Sequence, residues 1–308
     1  IQIPSTFRYL SQIFRLIFYL FQIFRKKLFM NTKHHMTINC RGTLVDLSKP
    51  KIMGILNLTP DSFFDGGNHN SIDAALVQCE KMINEGADFI DVGAYSSKPG
   101  TEQVSEEEEL KRLLPTFEKL KYEFPQALFS IDTFRSKVAA LTIDRGAALI
   151  NDISAGAFDS EMLTTVGKHQ APFVAMHMQG KPATMQQQPK YKNVVDEVVF
   201  FFSKKIKEAQ AAGINDIILD PGFGFGKTKE HNFELLKQLE TFQCFDAPVL
   251  TGVSRKSMIY KTLNIKAETA LNGTTVLHTV ALSKKAQILR VHDVKEAKEC
   301  IDLLEALQ

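Results

Sequence analysis

The sequence predicts an α/β protein, a closed (β/α)₈ TIM barrel with a short N-terminal β-hairpin. Eight apolar segments of strand length alternate with eight amphipathic segments of helix length, over about 270 residues, which suits such a barrel. A doubly wound parallel sheet is the alternative, but its first strand is usually followed by a Gly-rich dinucleotide turn, and this chain has none. No linker rich in Pro, Gly or Ser divides residues 36–308, so we expect one domain there.

The expected elements follow from these alternating segments. The strands are predicted at 52–57, 88–93, 128–132, 147–151, 172–177, 215–220, 248–252 and 286–291. The helices are predicted near 71–85, 105–123, 134–145, 159–169, 193–212, 229–241, 257–283 and 293–307. Two short strands around Arg41 and Gly42, within 38–48, predict the hairpin. Ser105 and Glu108 predict a capping box, which explains the acidic run 106–109 as helix-start residues.

Residues 1–35 differ in composition from the rest of the chain. They contain no acidic residue and six basic ones, namely Arg8, Arg15, Arg25, Lys26, Lys27 and Lys33. We expect a non-native extension that precedes a start at Met30 or Met36. A basic amphipathic helix at a membrane interface and a targeting presequence are the alternatives. This non-core segment is therefore left out of the fold.

Charge and cysteine content restrict the function classes. The whole chain has 37 basic and 35 acidic residues, and removing residues 1–35 leaves 31 against 35, a net charge of −4. Nucleic acid is therefore not an expected partner. The four cysteines are scattered without a CxxC pair, which argues against a disulfide scaffold or structural zinc and favours a reducing compartment, the cytoplasm.

Polar residues follow the predicted strands, where the active site of such a barrel lies. The strand ends carry Asn57, Asp91, Asp132, Asn151, Asp152, Met176, His177, Asp220, the run 254–257 and the run 290–293. Carboxylates and carboxamides after strands two, three, four and six suit a planar ligand with several N–H donors. Cations after strands seven and eight suit a phosphate or pyrophosphate. Asn57 and Asp65 are hard oxygen ligands that suit Mg²⁺ on such an anion.

Each of these residues also has a purely structural interpretation. Asp132 and Asp152 are both candidates for helix N-caps, Asp152 more so than its neighbour Asn151. His177 is a candidate core histidine. Arg290 is a candidate structural ion pair, although an Arg at a strand end is costly unless it meets an anion.

A Gly-rich segment and two long loops lie beside the predicted site. Residues 220–228 (DPGFGFGKT) end like a phosphate-binding P-loop, but that motif requires a Gly where Pro221 stands. We interpret the segment as a turn that lets a flat ligand approach the backbone, with Phe225 as a stacking face. The loops 59–70 and 94–104 have the length of functional loops, and we expect them to close over the site.

Four motifs in order resemble dihydropteroate synthases of folate biosynthesis. They are residues 53–63 (MGILNLTPDSF), 220–227 (DPGFGFGK), 254–257 (SRKS) and 290–293 (RVHD), and the resemblance runs from about Met36 to the C-terminus. It implies a (β/α)₈ barrel that forms a homodimer. It also implies a transferase that joins 6-hydroxymethyl-7,8-dihydropterin diphosphate to 4-aminobenzoate and releases pyrophosphate, with Mg²⁺ as cofactor.

The resemblance also implies roles for individual residues by motif position. Pterin would contact Asp132, Asn151, Asp220, Lys256, Met176 and Phe225. Pyrophosphate would contact Asn57, Arg290 and His292, with Asn57 as metal ligand. The aminobenzoate site would be framed by Phe63, Ser97, Lys98, Pro99 and Ser257, with Asp65 brought over the substrates by the first loop. Asn57, Asp132, Lys256, Arg290 and His292 are the predicted catalytic residues.

One departure and two alternatives accompany this resemblance. The second loop usually reads Ser-Thr-Arg-Pro-Gly and here reads Ser-Ser-Lys-Pro-Gly, so Lys98 offers a point charge where Arg would offer a bidentate fork. The alternatives are a pterin-binding methyltransferase domain and a catalytically silent pterin-binding barrel. Phe63, Pro99 and Ser257 match a susceptible enzyme, which predicts inhibition by sulfonamides, the mimics of 4-aminobenzoate.

Overall fold

The structure is a computed structural model, and it describes residues 36–58, 68–95, 104–180, 185 and 189–307. These belong to one of two units of the chain, Met36–Gln308. The N-terminal segment 1–35 lies outside the described residues. So do most of both long loops and five predicted site residues, Phe63, Asp65, Ser97, Lys98 and Pro99.

The predicted N-terminal hairpin is present. β1 (Thr37–Cys40) pairs antiparallel with β2 (Thr43–Asp46), and Cys40 lies opposite Thr43. Arg41 and Gly42 form the turn with φ values of 56° and 84°, and two left-handed residues suit the twist of a tight hairpin. The Gly42 N–H donates to Asn39 Oδ1 at 2.7 Å, which stabilises this turn.

Eight parallel strands of the described residues form the barrel. They are β3 (Lys51–Asn57), β4 (Phe89–Gly93), β5 (Leu128–Asp132), β6 (Leu149–Asp152), β7 (Phe173–Met176), β8 (Ile217–Asp220), β9 (Leu250–Thr251) and β10 (Ile288–Val291). Their order is β8-β7-β6-β5-β4-β3-β10-β9. The ends meet where Leu219 bridges Val249 and its N–H donates to the Pro248 carbonyl at 2.8 Å. β9 is short because Pro248 has no N–H for the ladder. The predicted barrel is confirmed.

Helices cover the outside of this barrel. Within the described residues they are α1 (Asn68–Asn84), α2 (Glu106–Glu123), α3 (Ser136–Asp144), α4 (Met162–Lys168), α5 (Val194–Ala211), α6 (Lys229–Lys237), α7 (Ser257–Leu263), α8 (Leu271–Ser283) and α9 (Val294–Glu305). None of them combines the length and the apolar character needed to cross a bilayer.

Two predicted helices are interrupted. The helix expected near 257–283 is α7, a 3₁₀ turn (Ala267–Thr269) and α8. Asn264 ends α7 with a left-handed φ of 55°, a conformation that Asn tolerates at a helix end. The helix expected near 229–241 ends at Lys237 and is followed by a 3₁₀ helix, Leu239–Phe245.

The start of α2 differs from the predicted capping box. The Glu108 N–H donates to Ser105 Oγ at 3.2 Å, as expected, but the Glu108 carboxylate accepts from Arg112 Nε at 2.7 Å. Glu109 is fully buried and pairs with Arg135. All four acids lie in the first turn of α2, as predicted, and Glu109 has in addition a specific buried partner.

Two apolar layers determine where polar residues can lie. One layer packs the helices against the outer faces of the strands. The other lies inside the barrel and joins hairpin and strand residues, namely Ile38, Cys40, Val45, Leu47, Met53, Phe89, Leu149, Val174, Ile218, Leu250 and Ile288. The hairpin thus covers the N-terminal end of the barrel interior. Inward polar side chains are left to the C-terminal end, which positions the site.

Candidate active site

Three polar residues and one glycine form a row across four neighbouring strands at the C-terminal end of the barrel. The strand register pairs Asn57 with Gly93, Gly93 with Asp132, and Asp132 with Asn151. Residues in register share a face of the sheet, so these positions face the barrel interior together. A Cβ at Gly93 would lie 3.3 Å from the Asp132 Cβ. The missing side chain therefore leaves space between Asn57 and Asp132.

A buried carboxylate, Asp91, lies one layer below this row. Its Oδ1 accepts from Ser130 Oγ at 2.5 Å, and its Oδ2 accepts from Asn151 Nδ2 at 3.0 Å. The same Oδ2 accepts from Arg290 Nε at 2.6 Å, across the barrel. Asp91 is fully buried. One carboxylate therefore sets the orientation of two predicted substrate-binding residues, Asn151 and Arg290.

Asp132 is the second carboxylate that Arg290 contacts. Its Oδ2 accepts from Arg290 Nη2 at 2.9 Å, whereas its buried Oδ1 has no hydrogen-bond partner among the described residues. Burial raises the pKa of Asp132, and the Arg290 guanidinium opposes this shift. Asp132 is not a helix N-cap, because α3 begins after Arg135. The carboxylate keeps one acceptor atom for a ligand.

The opposite wall is formed by the Gly-rich segment and Lys256. Asp220 is buried, and its Oδ1 accepts from the Gly222 N–H at 2.7 Å. Lys256 Nζ donates to the Phe223 carbonyl and lies 4.5 Å from the Phe225 ring centroid. Burial lowers the pKa of Lys256 to about 8, with Asp220 opposing the shift. The interpretation as a turn rather than a P-loop fits these contacts.

The remaining predicted residues lie on the same end of the barrel. His292 is exposed, and its Nδ1 lies 3.0 Å from Ser254 Oγ. Ser257 begins α7 directly after Lys256 and is half-buried. Met176 is buried beside the Gly-rich segment, since a Cβ at Gly222 would lie 3.2 Å from its Cγ.

Of the two remaining structural interpretations, the one for His177 agrees with the contacts, whereas Asp152 is not a helix N-cap, because α4 begins at Met162 with Glu161 in the cap position. Asp152 Oδ1 accepts from the Ser154 N–H at 2.7 Å and its Oδ2 accepts from the Gly156 N–H at 2.7 Å, so it stabilises the turn after β6. His177 is a buried histidine whose Nδ1 lies 2.9 Å from Lys227 Nζ.

The separation of carboxylates and cations predicted from the strand ends is incomplete. Arg290 reaches from β10 to carboxylates on β4 and β5, so cation and anions share one cluster. Asp91 was predicted at a strand end but was not among the residues given a role, and its contact with Arg290 was not predicted. The signal for a role of Asp91 was the alternation along β4, which places Phe89, Asp91 and Gly93 on one inward face.

Asn57 is the predicted metal ligand that lies within the described residues. In the part of the chain that the structure describes, no three or more His, Cys, Asp or Glu side chains form a metal-binding group. Mg²⁺ in phosphate-transferring sites commonly takes one or two protein oxygens, and substrate phosphate and water supply the others. A carboxamide at the end of β3, facing the interior, fits that donor set. The second predicted oxygen ligand, Asp65, lies outside the described residues.

Comparison with known proteins identifies the family. Residues 53–292 match the family model described as pterin binding enzyme. The dihydropteroate synthase of Escherichia coli K12 is 44% identical over 273 residues, covering 88% of this chain and 96% of the relative. The chain belongs to the dihydropteroate synthase family. The predicted family, the transferase class and the link to folate biosynthesis are thereby confirmed.

Solved dihydropteroate synthase structures are similar across nearly their whole length. The Yersinia pestis dihydropteroate synthase with a sulfonamide drug is 43% identical with a TM-score of 0.83, covering 88% of this chain and 99% of that one. The Xanthomonas albilineans dihydropteroate synthase with 4-aminobenzoic acid is 36% identical with a TM-score of 0.83, covering 89% and 98%.

Proposed function

We propose that this chain condenses 6-hydroxymethyl-7,8-dihydropterin diphosphate with 4-aminobenzoate to give 7,8-dihydropteroate and pyrophosphate. One observation carries the assignment of the reaction to this site. Two carboxylates, the half-buried Asp132 and the buried Asp220, and two cations, Arg290 and Lys256, converge at the C-terminal end of the barrel. Carboxylates suit the N–H edge of a pterin and cations suit a diphosphate.

The pterin ring is held by the carboxylates in this proposal. Asp132 Oδ1 is a buried acceptor without a donor in the part of the chain that the structure describes, and a ring N–H supplies one. Asp220, Asn151 and the protonated Lys256 complete the polar edge, while Met176 and Phe225 contact the ring faces. Leaving such acceptors unpaired is costly, so the site discriminates strongly for a ligand with matching donors.

The diphosphate is held by Arg290, His292 and Asn57. When bound, Mg²⁺ supplies further positive charge to the diphosphate oxygens, and Asn57 is its proposed protein ligand. Arg290 approaches the diphosphate with an orientation that Asp91 fixes. These groups favour the state in which negative charge collects on the departing pyrophosphate.

The reaction follows from this distribution of charge. We assign it an SN1-like course, in which the C–O bond to the diphosphate breaks first and the pterin methylene becomes a cation delocalised into the ring. Asp132 and Asp220 stabilise that cation electrostatically. The arylamine nitrogen then forms the new C–N bond and loses a proton. A pterin analogue that cannot delocalise a methylene cation is expected to react far more slowly, and a normal rate would contradict this course.

The aminobenzoate subsite is assigned to Phe63, Ser97, Lys98, Pro99 and Ser257, with Asp65 over the substrates. Sulfonamides provide the test of this assignment and of the reaction. We expect inhibition of dihydropteroate formation that is competitive with 4-aminobenzoate and is relieved when 4-aminobenzoate is raised. Activity that is unchanged by a sulfonamide at limiting 4-aminobenzoate would contradict the proposal.

We further propose a homodimer through an α7–α8 apolar surface, defined as Leu263, Ile265 and Val276. All three side chains are exposed, by 51%, 38% and 54%. A Cβ at Gly273 would lie 3.0 Å from Leu263 Cδ1, so α7 and α8 meet there and form one surface. Val276→Glu is expected to give a monomer in sedimentation, whereas Leu44→Glu on the hairpin is not. A dimeric Val276→Glu protein would contradict this interface.

The cytoplasm is the proposed location. Cys40, Cys79 and Cys300 are buried thiols within packed elements, as expected in a reducing compartment. Detection of the chain in a secreted fraction would contradict this location.

A further inference from the structure

Lys227 lies beneath the Gly-rich segment and makes an unusual set of contacts. Its Nζ donates to the carbonyl oxygens of Gly222 at 2.9 Å, Phe225 at 3.1 Å and His177 at 3.1 Å. It also lies 2.9 Å from His177 Nδ1. Lys227 is only 3% exposed. The side chain therefore points into the protein.

Three carbonyl oxygens directed at one point would repel each other without a donor between them. An ammonium group has three N–H donors, which four acceptors share here, the three carbonyls and His177 Nδ1. Burial lowers the pKa of Lys227, and the carboxylate of Asp220 opposes that shift. A buried lysine is tolerated only where hydrogen bonds offset its desolvation. The arrangement thus requires a donor of this length at this position.

The segment that Lys227 holds also carries pterin-contact residues. Asp220 is joined to it through the 2.7 Å hydrogen bond from the Gly222 N–H. Phe225 presents its ring to Lys256, which also donates to the Phe223 carbonyl. Lys256 therefore binds the turn from the ligand side and Lys227 binds it from below.

The turn has little room to adopt another position. Gly222 and Gly226 have left-handed φ values of 70° and 60°. A Cβ on them would lie 1.9 Å from the His177 carbonyl oxygen and 2.2 Å from that of Gln179. The turn backbone thus packs directly on the segment after β7. Release of the Lys227 hydrogen bonds would let the two segments separate and move Asp220 and Phe225 together.

We propose that Lys227 is a positioning residue for the pterin subsite, because it gathers the carbonyls of residues 177, 222 and 225 and so fixes Asp220 and Phe225. It acts through the backbone of the turn and does not touch substrate. This inference rests on the proposed function, which assigns pterin to these residues. A purely structural lysine would affect stability alone.

The test uses the full chain with Lys227→Met, which keeps length and loses every donor. Lys229→Met is the matched control, since Lys229 is exposed and pairs only loosely with Glu230 at 3.6 Å. Calorimetry well below the unfolding temperature measures the dissociation constant for 6-hydroxymethyl-7,8-dihydropterin diphosphate. Lys227→Met is expected to bind it up to about 100-fold more weakly, because loss of the hydrogen bonds from a charged donor lets the turn that carries Asp220 and Phe225 shift. The KM for 4-aminobenzoate at saturating pterin is expected to stay unchanged. In Lys229→Met, neither the dissociation constant for the pterin substrate nor this KM is expected to change.

Two results would overturn the inference: normal pterin affinity in a folded Lys227→Met protein, or equal losses for both substrates. If Lys227→Met does not fold, Lys227→Gln retains N–H donors, and an intermediate loss of pterin affinity is expected of it. Normal pterin affinity in Lys227→Gln with a lowered unfolding temperature would equally overturn the inference. Failure of the unmodified chain to bind the pterin would instead contradict the proposed function.

Discussion

At the scale of single residues, Asp91 determines the geometry of the site without belonging to a recognised motif position. Its two oxygens contact Ser130, Asn151 and Arg290. The sequence placed Asp91 near a strand end, but nothing local to it indicated that Arg290, nearly 200 positions later, would be its partner. Contacts between distant strands depend on how the barrel closes, and the local sequence around Asp91 does not specify this.

Asp91→Asn tests this role. The variant removes the charge that faces Arg290 and leaves a buried guanidinium with one carboxylate partner. Loss of one member of such a pair costs about 2–5 kcal/mol, and about 3 kcal/mol corresponds to about 100-fold in kcat/KM. Steady-state kinetics with the pterin substrate measures this change in kcat/KM. Ser130→Ala is the control, since it removes a neutral donor and keeps the ion pair. Equal kinetics for Asp91→Asn and the unmodified chain would contradict the role.

The pH dependence of kcat/KM is a second prediction at this scale. Asp132 must be ionised to stabilise a cationic ring, and burial raises its pKa above the ordinary aspartate range, so activity is lost as pH falls through that raised value. Lys256 must be protonated, and its pKa is lowered to about 8, so activity is lost as pH rises through about 8. A bell-shaped profile is expected. A flat profile above pH 8 in a stable protein would exclude the role of Lys256.

At the scale of elements, the start of α2 is tied to the turn after β5. Glu109 accepts from Thr133 Oγ1 at 2.7 Å and pairs with Arg135, whose Nη2 donates to the Val104 carbonyl. The position of α2 was predictable because Ser105 and the acidic run are local signals. The Glu109–Arg135 pair was not, because burial of a charged residue depends on packing between elements.

Arg135→Ala is expected to lower the free energy of unfolding by about 3–5 kcal/mol, because it leaves a buried carboxylate without its partner. Burial already raises the pKa of Glu109, and Arg135 opposes that shift, so the variant raises it further. The difference in unfolding free energy between Arg135→Ala and the unmodified chain should therefore become smaller as pH falls and Glu109 takes up a proton. Denaturant unfolding at several pH values measures this.

Two comparisons complete that experiment. Adding Glu109→Gln to Arg135→Ala should restore part of the stability, since no buried charge remains. Arg145→Ala is the control, because Arg145 pairs with Glu118 at the surface, where such pairs contribute about 0–1 kcal/mol. Equal effects for Arg135→Ala and Arg145→Ala would contradict the account of the pair.

At the scale of the whole molecule, the fold was predictable because each strand–helix unit repeats the same local pattern. The eight strands, the hairpin turn at Arg41 and Gly42, and the strand-end positions of Asn57, Asp132 and Asp220 all follow from local sequence. The break at Asn264 and the closure at Pro248 do not, because they depend on tertiary packing. The hairpin that covers the interior opposite the site is likewise visible only in the folded chain.

The most direct measurement is product formation by a chain that begins at Met36, compared with the full chain. Both are incubated with 6-hydroxymethyl-7,8-dihydropterin diphosphate, 4-aminobenzoate and Mg²⁺. We expect equal rates, with 7,8-dihydropteroate and pyrophosphate formed in equal amounts, and loss of both products on chelation of Mg²⁺ or in Arg290→Met. A folded chain that forms no dihydropteroate from saturating substrates, or an Arg290→Met variant with normal activity, would contradict the account.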